Sequence, residues 1–508
     1  MGNSFSSAVV SIIVSKMFML LLGVGFTPVL VRLLGPVEYG RYALVLSVYS
    51  VVGIVLISGT GDTVRKYISE RSDTEWQAAI FGYVFRTAFV VGLLAAALFA
   101  LAAYTGLAAS TFGPAFTSLF YVLGAYLVFN QLATHVLWTL MGLQLESRSE
   151  PLKVVDETLF VAVAITFVYL GYGVEGVLLG SIVSSAFTIV VGLAIVSRVL
   201  PIRRALFPSG VSLPKGQIIT YTASTIGFFL FLTSLYHVDV LLLQLWLSDE
   251  FVGYYKGALV IAEVLWFAPV AVQYALLQRV SHLWERGDID AIERQSQVVT
   301  RYVFLFTTLL VLGLAALAAD FVPLYLGKSF RPAITPLLLL LPGVLGFAVA
   351  RPSLAINQAR RSLRPLLVAT GASSLINVLL NLLLIPGYGM IGAAIATSIG
   401  YGSLVVFQTA IARRLGYRPL EGIRWEATSV TIIVSATSIF LVSWAIDSSI
   451  LSLVIVPPFG AVVFVVASVA TGAITSDDLE EIATATALPK AVERQLLELV
   501  ERIPTRHK

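Results

Sequence analysis

The chain has 508 residues, of which 58% are hydrophobic and only 12% charged, and its mean hydropathy is +0.90. A soluble globular chain carries about a quarter charged residues, so this composition excludes one and marks an all-α, polytopic membrane protein. With no cysteine in the sequence, disulfides, thiolate catalysis and Cys-ligated metals are excluded; the formal charge of +4 implies no nucleic-acid partner, because the bases fall in loops between apolar runs.

Apolar runs long enough to cross a bilayer fill almost the whole chain, with short polar turns between them. Spans are expected near 8–31, 42–62, 79–104, 114–138, 153–171, 174–199, 217–244, 250–276, 300–320, 333–356, 364–385, 388–412, 426–446 and 450–473, fourteen in all. No basic leader precedes the first run, and that run is too long for a signal sequence, so it reads as an uncleaved helix.

The turn after the first span, LVRLLGPVEYGRYALVLSV (30–48), is restated near residue 250 as QLWLSDEFVGYYKGALVIAEV. Both have an apolar lead-in, an acid, a glycine, tyrosine and a new apolar run. The same offset recurs: 213 residues separate Gly40 from Gly253, 214 separate Gln144 from Gln358 and Pro151 from Pro365, and 216 separate Gly173 from Gly389. The segment GYGVEGVLLGSIVSS (171–185) pairs with GYGMIGAAIATSIGY (387–401). Ordered anchors at one period indicate an internal duplication. Six spans per repeat is an even number, so both halves enter the membrane in the same direction.

The expected organisation is a six-helix bundle at 1–199, a basic, Pro-rich linker at 200–216, a second bundle at 217–412, two further spans at 413–474 and an amphipathic tail at 475–508. In the tail, Ser476, Asp477 and Asp478 signal a helix start, and Val492, Leu496, Leu499 and Ile503 share one face. That face would lie on the inner membrane surface or pack on the cytoplasmic loops. Alternate loops hold most of the Lys and Arg, Arg351 among them, against only Arg32, Arg41, Lys256, Lys328 and Arg331 on the other side, which places both termini in the cytoplasm.

Ionisable groups inside a span are costly unless they face a partner or a wet cavity. Lys16, Arg86, Asp239 and Glu263 are such groups. Lys16, Arg32, Arg41, Arg86 and Lys256 would form a cationic track suited to a diphosphate head group stripped of water. Snorkelling accounts as well for Lys16 and Arg86, and interfacial anchoring for Arg32, Arg41 and Lys256. Glu263, near mid-span, has no such escape; it and Asp239 are candidate ion or proton coupling sites. His237 and Asp239 point about 160° apart on a helix, so neither implies the other as partner.

Pro28, like Pro269, Pro342 and Pro352, breaks a helix hydrogen bond and reads as a kink, while Gly35, Gly40 and Gly253 suit tight turns. Gly176 and Gly180 have the spacing of close helix packing. Asp288 and Asp290 make a DxD of a kind that charged loops produce freely. The four histidines have no metal spacing, and neither a phosphate-binding loop nor a GxSxG motif occurs, so no cofactor, metal or catalysis is expected.

The first turn resembles the signature of Wzx-type polysaccharide-biosynthesis flippases in the multidrug/oligosaccharidyl-lipid/polysaccharide exporter superfamily, matched here by Arg32, Leu34, Gly35, Pro36, Glu38, Tyr39 and Gly40. Asp239 followed by VGYYKGA (252–258) resembles the family's second-half pattern, with His237 where an Arg is often found. The resemblance implies two six-helix bundles in a V around a central cavity, and a monomer moving a polyprenyl- or dolichyl-linked glycan outward across the cell membrane by alternating access. It also implies membrane lipids as surroundings, and a functional link to glycosyltransferases and an oligosaccharyltransferase or polymerase. The low Lys to Arg ratio, the missing cysteine and the acidic tail point toward a haloarchaeal source, with a dolichol carrier and a surface-layer glycan. The rival reading is a drug or cation antiporter of the same superfamily fold. A membrane glycosyltransferase or polymerase would need larger, more acidic outer loops.

Overall fold

The computed structural model describes residues 2–475 apart from 55, 57–58, 203–206, 208–209 and 361–363, with side chains from residue 18 onward except 59, 60, 62, 224, 225, 228 and 278. The tail from 476 onward and the side chain of Lys16 therefore lie outside the described residues. Within them the chain is all helix and loop, as a membrane interior requires, since a helix satisfies every backbone N–H and C=O within itself.

The first repeat holds α1 (Gly2–Gly53), α2 (Gly59–Ser69), α3 (Thr74–Tyr104), the short α4 (Leu107–Phe112), α5 (Phe116–Gly142), α6 (Glu146–Phe167) and α7 (Gly173–Val196). The second holds α8 (Lys215–Trp246), α9 (Asp249–Val264), α10 (Phe267–Arg286), α11 (Ile289–Tyr325), α12 (Ile334–Gln358) and α13 (Arg364–Arg414), followed by α14 (Trp425–Ala445) and α15 (Ser449–Thr471). Asp288, half of the DxD, accepts a hydrogen bond from the Ala291 N–H at 3.0 Å, so it caps the start of α11.

Ten of the described helical segments are long and apolar enough to cross a membrane, or eleven with the pair Asp249–Val264 and Phe267–Arg286, bent by 49°, taken as one span. That is short of the fourteen expected, and the difference has a physical source. Glu146–Val196 and Arg364–Arg414 run 51 residues each, about 75 Å at the helical rise against about 30 Å of hydrocarbon. Each doubles back at a glycine: Gly173 takes φ 51°, ψ −134° and Gly389 takes φ 58°, ψ −135°. These two repeat anchors share one backbone conformation that a side chain would strain. Beyond the first break α7 returns along α6 so closely that a methyl on Gly180 would lie 2.8 Å from the Ala164 nitrogen. The expected close packing at Gly176 and Gly180 is thus α7 on α6. Gly35 breaks α1 in a similar way with φ 68°, ψ 177°.

The chain forms two compact units. Unit 1 comprises Met1–Ala258, Tyr325–Pro336 and Ser374–Thr397. Its core has one apolar cluster around Leu44, Phe116, Leu123 and Val174, and another around Ile68, Trp76, Phe81 and Leu140. Ile202, Val211 and Leu213, from either end of the link between repeats, pack on the second cluster. Pro28 lies within α1 and denies the Val24 carbonyl its helical donor; the Tyr325 hydroxyl supplies one instead, at 2.9 Å. The carbonyl freed by the proline is therefore satisfied from outside the helix.

Unit 2 comprises Leu259–Leu324, Leu337–Ser373 and Ser398–Lys508. Trp266, Phe347 and Tyr401 pack together within it at tilted and edge-to-face angles, ring centroids 4.6 to 5.1 Å apart. Arg351 is only 7% exposed; it donates to Gln273 at 2.9 Å and lies 4.4 Å over the Phe347 ring. Counted from sequence as a loop base, it is an interior residue of α12. At the far end Ser443 donates to the Ala316 carbonyl at 3.0 Å and Ser449 to Asp320 at 2.7 Å, seating α14 and α15 on α11.

Candidate functional site

The two repeated turns meet inside unit 1. A methyl group on Gly40 would fall on the Asp249 carbonyl oxygen and 2.9 Å from the Gly253 nitrogen. One on Gly253 would fall on the Pro36 carbonyl oxygen and 3.2 Å from the Gly40 nitrogen. Glycine is needed at both places because backbone faces backbone. Beside this crossing Arg41 donates through Nε to Asp249 Oδ2 at 2.8 Å and through Nη1 to Glu38, while Gln244 donates to Asp249 Oδ1 at 2.7 Å. Phe330, fully buried, stands edge-on to Tyr39 of the first turn and to Tyr254 of the second, at 6.0 and 5.8 Å.

One helical turn along α9 from Gly253, Lys256 is only 7% exposed and acts electrostatically on both the Asp239 carboxylate and the His237 ring. Asp239 is fully buried and accepts from the Tyr255 hydroxyl, from Thr397 Oγ1 at 3.1 Å and from the Val240 N–H at 2.8 Å. Asn377 donates to Thr397 at 3.3 Å and Asn381 to the Asn377 carbonyl at 2.9 Å. Among the described residues, the side-chain oxygens of Asn377 and Asn381 accept no hydrogen bond. His237 instead faces Ser47, Nδ1 to Oγ 3.4 Å, so its partner and that of Asp239 differ, as their spacing on the helix requires. Such a set of oxygens around a carboxylate suits a proton or a hard cation rather than a soft metal. Among the described residues no three His, Asp or Glu side chains could together hold a metal ion.

Of the residues singled out from sequence, the fold brings Arg41, Lys256, Asp239, Gly40 and Gly253 together. Arg32 is exposed, and its Cγ would be 3.7 Å from a methyl on Gly327 in the segment leading to α12. Arg86 is part-buried on α3, which packs on α2 and α5. Glu263 belongs to unit 2. Sequence reading passed over Asp249, Tyr255, Thr397, Asn377 and Asn381. It also missed an acidic pair in the first repeat: Asp156, which accepts from Thr188 at 2.7 Å, and Glu157, which acts electrostatically on Tyr42. Two adjacent acids inside an expected span were the signal.

The family model described as polysaccharide biosynthesis protein matches residues 7–273. An uncharacterized membrane protein of Methanocaldococcus jannaschii, MJ1068, is 24% identical over 336 residues, which is 62% of this chain; the chain spans 63% of that protein's length. Among solved structures, the lipid II flippase MurJ in an inward closed conformation aligns with a TM-score of 0.73 at 15% identity, covering 90% of this chain and 97% of its own. A multidrug resistance transporter of the MATE family, of the MOP superfamily and inward-facing, aligns at 0.67 with 17% identity, covering 80% of this chain and 98% of its own. The fold of this chain is the one those transporters share.

Proposed function

The chain belongs to the polysaccharide biosynthesis protein family, and on that premise we propose that it is a flippase. Its cargo would be an oligosaccharide linked to a polyprenyl or dolichyl phosphate or diphosphate, carried from the cytoplasmic to the outer leaflet for surface polysaccharide or glycoprotein assembly. The bundles at 1–199 and 217–412 would alternate access about the link at 200–216, with 413–474 as added helices. The cargo would be supplied by glycosyltransferases and consumed by an oligosaccharyltransferase or polymerase.

The observation that carries the reading is Lys256. A buried ammonium is costly without an anion nearby; Lys256 shares the field of the Asp239 carboxylate, and it stands one turn from where the two repeated turns cross, where a phosphate would meet it as the crossing parts. Together with Arg41 beside the crossing, Lys256 would offer charge-assisted donors to a phosphate once the crossing parts. Lys16, Arg32 and Arg86 would extend that track, and Asp239, with Glu263 as a second group, would take up the ion or proton whose gradient drives the step. Opening to the outside would separate Arg41 from Asp249 and Gly40 from Gly253, with Gly35 and Pro28 shaping the helix that moves.

The test is translocation of a fluorescent polyisoprenyl-diphosphate disaccharide in proteoliposomes, read by quenching from outside. Lys256→Gln should slow translocation about tenfold or more, the scale of one lost charge-assisted contact, with Lys16→Gln and Arg86→Gln slowed as well. Unchanged rates in all three would remove the cationic track. The MATE-like fold favours a second reading, a drug or cation antiporter; export of cationic dyes without glycan lipid would replace the first reading with that one.

A further inference from the structure

A second group of cations, unused by the flippase reading, stands at the end of unit 1 where α2 and α3 meet and α8 begins. The Arg65 guanidinium lies 4.9 Å from the centre of the Trp138 ring, and Lys66 Nζ lies 3.9 Å over Tyr221 and 5.3 Å from Tyr67. Arg71 stacks 4.1 Å over Trp76, and Lys215 lies 5.8 Å from Tyr83. These rings are fixed. Trp76 is 4% exposed and donates its indole N–H to the Tyr67 carbonyl at 2.9 Å, while Tyr67 meets Tyr221 edge-on at 6.3 Å. Hydroxyls of Thr63 and Thr222, 2.8 Å apart, tie α2 to α8 beneath them. The cations themselves are exposed.

An aromatic face attracts a cation through its quadrupole without cancelling its charge or occupying its N–H donors, as a carboxylate would. Among the described residues, Lys66, Arg71 and Lys215 make no ion pair. Of the nearby acids, Asp73 caps α3 by accepting from the Glu75 and Trp76 N–H groups at 3.1 and 3.3 Å, and Glu70 is exposed at the end of α2. Burial, with Glu70 beside it, pushes the Tyr67 phenol up, so the ring stays neutral. Ile219, 60% exposed, lies one turn beyond Lys215 on the same face of α8 and offers apolar contact next to the charge.

We propose that Lys66, Arg71 and Lys215 on their aromatic floor form a docking site for a phosphate anchored in the membrane, carried by a lipid of the leaflet at that end. Basic pockets between helices of membrane proteins bind anionic head groups, and here the donors are in place with no carboxylate bound to them among the described residues. The phosphate would come from the polyisoprenyl cargo or from bulk anionic phospholipid. The site does not depend on the flippase reading.

The full chain, purified in neutral detergent, is titrated with dolichyl phosphate, phosphatidylglycerol or phosphatidylcholine, and bound lipid is counted by native mass spectrometry. Saturable retention of the two lipids of net negative charge, dolichyl phosphate and phosphatidylglycerol, is expected over zwitterionic phosphatidylcholine, with affinity reduced on the order of 100-fold at low salt in the triple variant Lys66→Gln, Arg71→Gln, Lys215→Gln. Tyr221→Leu keeps every charge and removes one ring, and should weaken retention about threefold, which keeps the test open if the triple variant does not fold. Preference for dolichyl phosphate over phosphatidylglycerol assigns the site to cargo entry, and equal affinity assigns it to ambient lipid; either supports docking. Equal retention by all variants, displacement by millimolar inorganic phosphate, or equal binding of phosphatidylcholine overturns it. No transport is measured, so failure here is distinct from failure of the translocation assay.

Discussion

The two copies of the turn are alike in backbone and unlike in charge. At their offset of 213 residues Gly40 corresponds to Gly253 and Pro36 to Asp249. The contacts obey that correspondence: each glycine faces the carbonyl of the residue four before its partner, Gly40 against Asp249 and Gly253 against Pro36. Side chains break the symmetry. Arg41 stands where the second copy has Tyr254, and Asp249 where the first has Pro36, so a two-fold backbone crossing is closed by a one-sided ion pair. Duplication supplied a surface that fits itself, and divergence added an ion pair on one side of it.

The largest effect should come from attacking the shared part. Gly40→Leu or Gly253→Leu places a branched side chain against main-chain carbonyl, which no rotamer relieves, and either should cost about 3 kcal/mol or more. Thermal unfolding in detergent measures it. Because both act on one contact, the double variant should lose clearly less than the sum. Additive losses, or sensitivity at only one glycine, would mean that the two positions are not a single crossing.

Asp239 of the second repeat is fully buried, and Asp156 of the first is half-buried. Asp239 stands beside the buried Lys256, whereas Asp156 is held by the Thr188 hydroxyl. Asp239→Asn strands an ammonium and should cost about 3 kcal/mol, with much of it recovered in Asp239→Asn, Lys256→Met. Asp156→Asn gives up one hydrogen bond to a charged group and should cost about 1.5 kcal/mol. Denaturation of the four proteins decides it, and a double variant no better than Asp239→Asn would show that Lys256 does not depend on that acid.

These comparisons also mark what was legible in the sequence. The repeat was, because a glycine forced into one conformation at Gly173 and Gly389 leaves the same letter in both halves. The crossing at Gly40 and Gly253 was half legible: the letters match, but close approach of two backbones leaves no further trace, and tight turns alone would have explained them. Asp239 stood out as an acid in an apolar run. Thr397, Asn377 and Asn381 did not, because uncharged polar residues are common in spans, and Thr397 reaches Asp239, with the asparagines linked behind it, through the folding of α13 at Gly389. Arg351 was misassigned for a related reason, since a basic residue near a span end reads as a loop base until packing is seen.

The smallest stability effect should come from the ion pair itself, and there function tells more than stability. Arg41 and Asp249 are part-buried, so the pair should contribute only about 1 kcal/mol, and less at high salt. If it holds the crossing shut, that same energy sets the population open to the outside, and losing it should raise that population about fivefold. The chain has no cysteine, so a single Ser47→Cys, fully buried beneath the crossing beside His237, reports opening through its rate of reaction with an impermeant thiol reagent. Arg41→Gln and Asp249→Asn should each speed labelling about fivefold and lose their salt dependence. Tyr254→Phe, at the position equivalent to Arg41, removes a hydroxyl that among the described residues bonds only to Glu250 on its own helix at 2.5 Å, and should leave labelling unchanged. Equal acceleration by Tyr254→Phe would mean that the closure is as symmetric as its backbone, and that the ion pair is an ornament on it rather than the lock.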